Sequence, residues 1–186
     1  MIHLVVFMFL AFALSSCSSL QGAFTYYKVE SPPVINRIGF CSLGNSGVLS
    51  TKYSTTNEHF SNSIIETSKV FGIPEVVDLK PLELTLQIDS FAVVELCKQY
   101  NIEAILVSRL KFILVTETML AIPINQRTDV VVKMKLYSAN GQLLYHTLHD
   151  TYKSNSYHRN PPPSRTIYDG TYGASKRIFI AMGLEK

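Results

Sequence analysis

The chain has 186 residues, 47% of them hydrophobic and 17% charged, with a formal net charge of +3 at pH 7. That composition suits one ordinary folded domain with a single core. Lys and Arg form no clustered stripe, which argues against a nucleic-acid partner.

Residues 2 to 14 are almost wholly apolar, and small polar residues follow at once. The run has the length of a signal-peptide core and is too short to span a bilayer of ~30 Å, which takes ~20 residues. Its positive end is only His3 and the terminal amine. Leu14-Ser15-Ser16-Cys17 closes the run and resembles the lipobox of bacterial lipoproteins. The resemblance implies a signal peptide over 1–16 and a Cys17 that becomes the first mature residue and carries palmitate-type acyl chains. Ser18 after the cysteine implies an outer-membrane location facing the periplasm. One acyl chain anchors only marginally, at about 0.8 kcal/mol per buried methylene, whereas two or three hold firmly. The plainer alternative is a buried N-terminal strand or helix with an incidental cysteine. Cys41 and Cys97 lie in apolar runs and are expected as two buried thiols rather than a disulfide.

Residues 17–33 read as a lipidated tether, because Ser, Gln, Gly and Pro32-Pro33 discourage regular structure. A periplasmic α/β domain is expected over 34–186. Val34 to Leu43 is a strand candidate that runs into the turn signal Gly44-Asn45-Ser46-Gly47. Thr55 and Glu58 have capping-box spacing, and Phe60, Ile64, Thr67 and Phe71 then share a helical face. Gly72 and Pro74 mark the end of that helix. Glu75 to Leu79 is a short strand. Asp89 can cap a second helix to about Tyr100, with Phe91, Val94, Cys97 and either Ala92 or Leu96 turned inward and Asn101 in the left-handed position. Ile102 to Thr116 is β-rich. Strand–helix–strand–helix–strand implies parallel pairing by crossovers.

Asn140-Gly141 between two β-rich runs is the preferred two-residue hairpin turn, because both residues tolerate positive φ. That turn sets Ser138 opposite Leu143, Leu136 opposite Tyr145 and Met134 opposite Thr147. Val132, Met134, Leu136, Leu143 and Tyr145 then face the core, while Lys133, Lys135, His146 and Asp150 face water. Tyr152 to Ser164, with Pro161-Pro162-Pro163, reads as a loop. Thr166 and Asp169 repeat the capping-box spacing before a last helix that runs to about Met182. Gly170 and Gly173 weaken that helix by about 1 kcal/mol each, which makes sense if it packs very close to a sheet. The expected fold class is α/β: a single domain of three layers, with one mixed sheet, βαβαβ crossovers, a β-hairpin in the C-terminal half at the Asn140-Gly141 turn and a closing helix.

Chemistry-bearing patterns are sparse. His146 and His149, three apart on a strand, point to opposite faces, so a shared metal is not expected. No Gly-x-Ser-x-Gly elbow occurs, and Ser42 to Gly47 lacks the Gly-Lys-Ser/Thr of a phosphate loop. No cofactor, metal or catalytic residue is therefore assigned. The one aromatic and basic concentration comprises Tyr152, Tyr157, Arg159, Tyr168 and Tyr172, read either as an interaction surface for a partner protein or glycan or as a solvated loop and helix face.

The strand Ile35 to Phe40, the sequence Cys97-Lys-Gln-Tyr-Asn-Ile-Glu-Ala-Ile-Leu-Val107, the Asn-Gly hairpin and the closing helix together resemble a known layout. It is the periplasmic α/β domain of CsgG-type lipoproteins and the amino-terminal domain of TolB, over roughly residues 34 to 183. The resemblance implies a non-enzymatic assembly or interaction module tied to the membrane by lipid, with another envelope protein as partner. A hydrolase, or a lipoprotein that binds a small ligand or glycan, is the alternative. A secretion-pore subunit is a further one, for which only Ile102 to Thr116 and its return strand could supply a membrane-crossing hairpin.

Overall fold

The computed structural model describes residues 21–27, 29, 31, 33–42, 55–79, 89–119, 122–155 and 163–184. They form an α/β domain. Strand β1 (Gln21–Tyr27) is followed by β2 (Arg37–Ser42), helix α1 (Thr56–Val70), β3 (Glu75–Asp78), helix α2 (Ser90–Tyr100), β4 (Ala104–Met119), β5 (Ile122–Ser138), β6 (Leu143–Asn155) and helix α3 (Pro163–Ala181). The six strands make one sheet in the order β1-β6-β5-β4-β2-β3. Strand β2 pairs in parallel with β3 and β4, as the alternation of strands and helices implied. The remaining pairs are antiparallel.

Several local expectations need correction. Residues 21–27, placed in a tether without regular structure, form edge strand β1 against β6, so the sheet begins ahead of residue 34. Strand β6 runs on to Asn155, through the start of the expected loop. The closing helix starts at Pro163, where a missing N–H is harmless in a first turn. Thr166 is therefore not a cap. It is buried inside the helix, and its hydroxyl shares a 2.8 Å hydrogen bond with that of Thr128 on β5.

The helix ends follow the sequence closely. Beyond α1, Gly72 has φ 75°, the Gly72 amide donates to the Lys69 carbonyl and the Ile73 amide to that of Ser68, both at 3.1 Å. That pattern satisfies carbonyls a helix would otherwise leave open. Asn101 does the same for α2 at φ 51°. Asp89 caps α2 by accepting from the Ala92 amide at 2.7 Å. Thr55 flanks α1 without a side-chain capping bond, so the expected capping box with Glu58 is not formed. The inward face of α2 is Val93, Leu96 and Cys97, and Phe91 is 74% exposed.

Each face of the sheet carries its own core. On the first lie Ile38 and Phe40 of β2, Leu106, Leu110 and Phe112 of β4, and Val130, Val132, Met134 and Leu136 of β5, covered by Phe60 and Ile64 of α1 and Ile167, Ile178 and Phe179 of α3. On the second, Ile105, Val107 and Tyr137 meet Val93, Leu96 and Cys97 of α2. Cys41 and Cys97 are both buried as thiols, and burial pushes the Cys97 thiol above its ordinary pKa.

The hairpin pairs Leu136 with Tyr145 and Met134 with Thr147, as the Asn-Gly turn implied. Nearer the turn the register slips by one, and Tyr137 rather than Ser138 meets Leu143. Only Gly141 has positive φ (82°), and its amide donates to the Ser138 carbonyl at 2.9 Å. The loop therefore has one residue more than a two-residue turn, the geometry of a bulge at a left-handed glycine. Leu143 consequently packs on the α2 side, and Leu144 joins the first core.

Helix α3 lies tight against the sheet. A Cβ at Gly170 would stand 2.9 Å from the Val130 Cγ1, and one at Gly173 would collide with the His149 ring. Gly170→Ala removes about 1 kcal/mol of helix penalty but overpacks the contact, which costs about 1–3 kcal/mol. Thermal unfolding should show a net loss, and Val130→Ala introduced beside it should recover part. A stabilised single variant would refute this packing role.

Candidate functional site

The sequence-designated surface divides in three. Tyr157, Arg159 and the lipobox residues Leu14, Ser15, Ser16 and Cys17 lie outside the described residues, as do Gly44 to Gly47 and His158. Tyr152 pairs with Asp129 across β5 and β6, in a stretch described by its backbone. Tyr168 and Tyr172 come together one turn apart on α3, with ring centroids 6.2 Å apart and planes 16° from parallel. Tyr172 also stands 6.2 Å from Phe71 at the end of α1, and that ring packs 5.5 Å from Phe179. Tyr172 is thus partly a core residue, and Tyr168 is the one turned to a groove.

That groove runs between α1 and α3 and encloses about 500 Å³. His59, Asn62, Ser63 and Glu66 line it from α1, and Ser164, Arg165, Tyr168 and Asp169 from α3. The Ser63 hydroxyl is spent on the His59 carbonyl at 2.6 Å, so it offers no donor to a ligand. The remaining groups present both charge signs, amide and hydroxyl hydrogen-bonding capacity and one aromatic ring. Such a lining suits polar recognition of a protein or glycan surface. Sequence reasoning named Tyr168 but missed His59, Asn62, Glu66, Arg165 and Asp169, because nothing in the chain shows that α1 and α3 are neighbours.

The two histidines of β6 occupy opposite faces, as their spacing required. His149 is 3% exposed under α3, between Thr147 and Thr151, and neither ring nitrogen has a hydrogen-bond partner among the described residues. Burial holds the His149 imidazole below its ordinary pKa, Arg177 adds to this, and Asp150 pulls the other way. His146 is half-buried on the other face, held low first by burial and then by Lys133 and Lys135. No group of three or more metal-ligating side chains occurs among the described residues. Cys41 is fully buried.

Among the described residues, α2 covers the second face at one end only. Beyond it, Arg109, Lys111 and Lys133 are exposed and Lys135 is half-exposed, with Val131 and Leu148 half-exposed among them. These cations form no run in the sequence. They meet because β4 and β5 pair Arg109 with Lys133. The alternation of Arg109 and Lys111 with apolar neighbours carried the signal, but only the pairing register reveals the cluster.

No protein-family model matches the chain, and no curated protein matches it. Solved structures do. The PelC dodecamer from Paraburkholderia phytofirmans aligns over 90% of this chain and 100% of its own, at 10% identity and a TM-score of 0.59. A second crystal form of that dodecamer, carrying a point substitution, aligns over 83% of this chain and 95% of its own, at 11% identity and a TM-score of 0.55. The lipoprotein GNA1162 from Neisseria meningitidis aligns over 76% and 96% respectively, at 12% identity and a TM-score of 0.47. The PelC matches show a shared fold.

The burial of His149 has a measurable consequence. An unfolded imidazole takes up a proton near pH ~6.5, and the folded one resists it to a lower pH. The stability this contributes is complete above ~6.5 and is lost as pH falls toward the folded-state value. His146 acts with the same sign. Denaturant titrations at about pH 7.5 and 5.5 should therefore show a loss of stability in acid, and a shallower loss in His149→Leu. Parallel losses in both proteins would contradict the assignment.

Proposed function

We propose that the protein is a lipid-tethered component of the bacterial cell envelope that acts as a non-enzymatic docking module. The lipobox-like Leu14-Ser15-Ser16-Cys17 supports the tether, and Ser18 favours the outer membrane. The observation that carries the docking role is the α1–α3 groove, where Tyr168 stands among His59, Asn62, Glu66, Arg165 and Asp169. An aromatic ring amid mixed charges is the composition that anchors protein interfaces. The partner proposed for it is another envelope protein. Tyr157 and Arg159, which lie outside the described residues, belong to this proposal on the sequence alone.

A second reading is self-assembly. The fold is shared with a protein solved as a dodecamer, and the sheet here ends in two edge strands, β1 and β3. Edge strands offer unpaired backbone groups to a neighbouring copy. A ring on the membrane would accommodate the secretion-pore alternative.

Two experiments test these readings. Cys17→Ser should leave the precursor uncleaved and abolish labelling with a palmitate analogue, and labelling that persists in this variant would remove the tether. Photocrosslinking from position 168 in intact cells should capture one defined envelope protein, and Arg165→Glu should reduce that product about tenfold, the scale of an interface anchor. Capture of the chain by itself, together with a ring mass in detergent, would favour self-assembly. A bare monomer with no product at position 168 would contradict both readings.

A further inference from the structure

The half of the second sheet face that no described element covers is electrostatically one-sided. Arg109 and Lys111 on β4 and Lys133 and Lys135 on β5 project from it. Neighbours on one face of a strand are ~7 Å apart and strands ~4.8 Å apart, so the four cations fit within ~15 Å. Arg109 lies directly opposite Lys133, a position where like charges repel. None of the four forms an ion pair with another described residue, whereas Arg37–Glu75 at 3.0 Å and Lys98–Glu95 at 3.4 Å do. On the same face, Asp150 lies opposite Val131, and Asp129 lies one row beyond. The cations therefore outnumber the acids there and cost the isolated fold stability that an external anion would restore.

The chain's own geometry indicates which anion. Gln21, Thr151, Val130 and Phe112 form one transverse row across β1, β6, β5 and β4. Lys111 is the next residue to that row, three strand spacings or ~15 Å from β1. Cys17 precedes Gln21 by four residues, at most ~14 Å of extended chain. An acylated Cys17 thus holds a bilayer surface within reach of this face. Acyl chains and a cationic patch together bind more firmly than either alone.

We propose that the face formed by Arg109, Lys111, Lys133 and Lys135 docks on anionic lipid headgroups of the bilayer to which Cys17 tethers the chain. This rests on the lipid-tether reading and adds an orientation to it: the second sheet face toward the membrane, the α1–α3 groove away from it and open to a partner.

The test uses the native acylated protein in vesicles of phosphatidylcholine alone or with about 30% phosphatidylglycerol, footprinted with an amine-reactive reagent. Lys69, exposed on α1 in the opposite layer, is the internal reference. Anionic vesicles should reduce labelling of Lys111 and Lys133 about fivefold relative to Lys69, and about 0.5 M salt should restore it. Lys133→Gln should weaken the protection of Lys111 while the acyl mass stays unchanged. Equal labelling in both vesicle types, with the acyl mass present, overturns the docking and spares the tether. Protection that persists in phosphatidylcholine alone points to a bound acidic protein and also overturns it. A protein without acyl mass sinks the tether and the docking together.

Discussion

The pairing register of β4, β5 and β6 is the constraint on which the rest depends. Side chains alternate strictly along a strand, so a slip of one residue would exchange the two faces. With Leu110 opposite Val132 and Met134 opposite Thr147, Leu106, Leu110 and Phe112, Val130, Val132, Met134 and Leu136, and Tyr145 fall on the face covered by α1 and α3. The intervening Arg109, Lys111, Lys133 and Lys135 are thereby forced to the other side. The main core and the cationic face have the same cause, and neither can be altered without the other.

Helix α3 converts that sheet into a site. Its glycines bring the backbone close to Val130 and His149. Thr166 reaches Thr128, Ser175 donates to the Met134 sulfur at 3.5 Å, and Tyr145 donates to the Ala181 carbonyl at 2.8 Å. These buried polar contacts fix the helix in one position, since a misplaced helix would leave each group desolvated at about 1–3 kcal/mol. Fixing α3 also fixes Tyr168, Arg165 and Asp169 relative to α1, which is what gives the groove a defined shape.

Much of this was legible from local chemistry. Gly72, Asn101 and Asp89 announced helix ends because each position demands a particular backbone or capping group. The alternation of Val132, Met134 and Leu136 with Lys133 and Lys135 announced an amphipathic strand. The misses have physical reasons too. Strand β1 holds the strand formers Phe24, Thr25, Tyr26 and Tyr27, but the Ser, Gln, Gly and Pro around them obscured that signal, and its pairing partner β6 lies far away in sequence. The bulge at Gly141 depends on the whole hairpin rather than on two residues. Phe91 lies two residues before Val93, about 160° round α2 from the Val93, Leu96 and Cys97 face at 3.6 residues per turn, and so points to solvent. The groove and the cationic cluster join residues far apart in sequence, so only the assembled fold brings them together.

The proposed tether at Cys17 is what would give the two surfaces a functional meaning, by orienting the domain and bringing it to its partners. Intact mass measurement of the native protein extracted from membranes tests that most directly. A chain beginning at Cys17 and carrying the added mass of acyl chains is the expected result. A chain that still begins at Met1, with no added lipid mass, would contradict it.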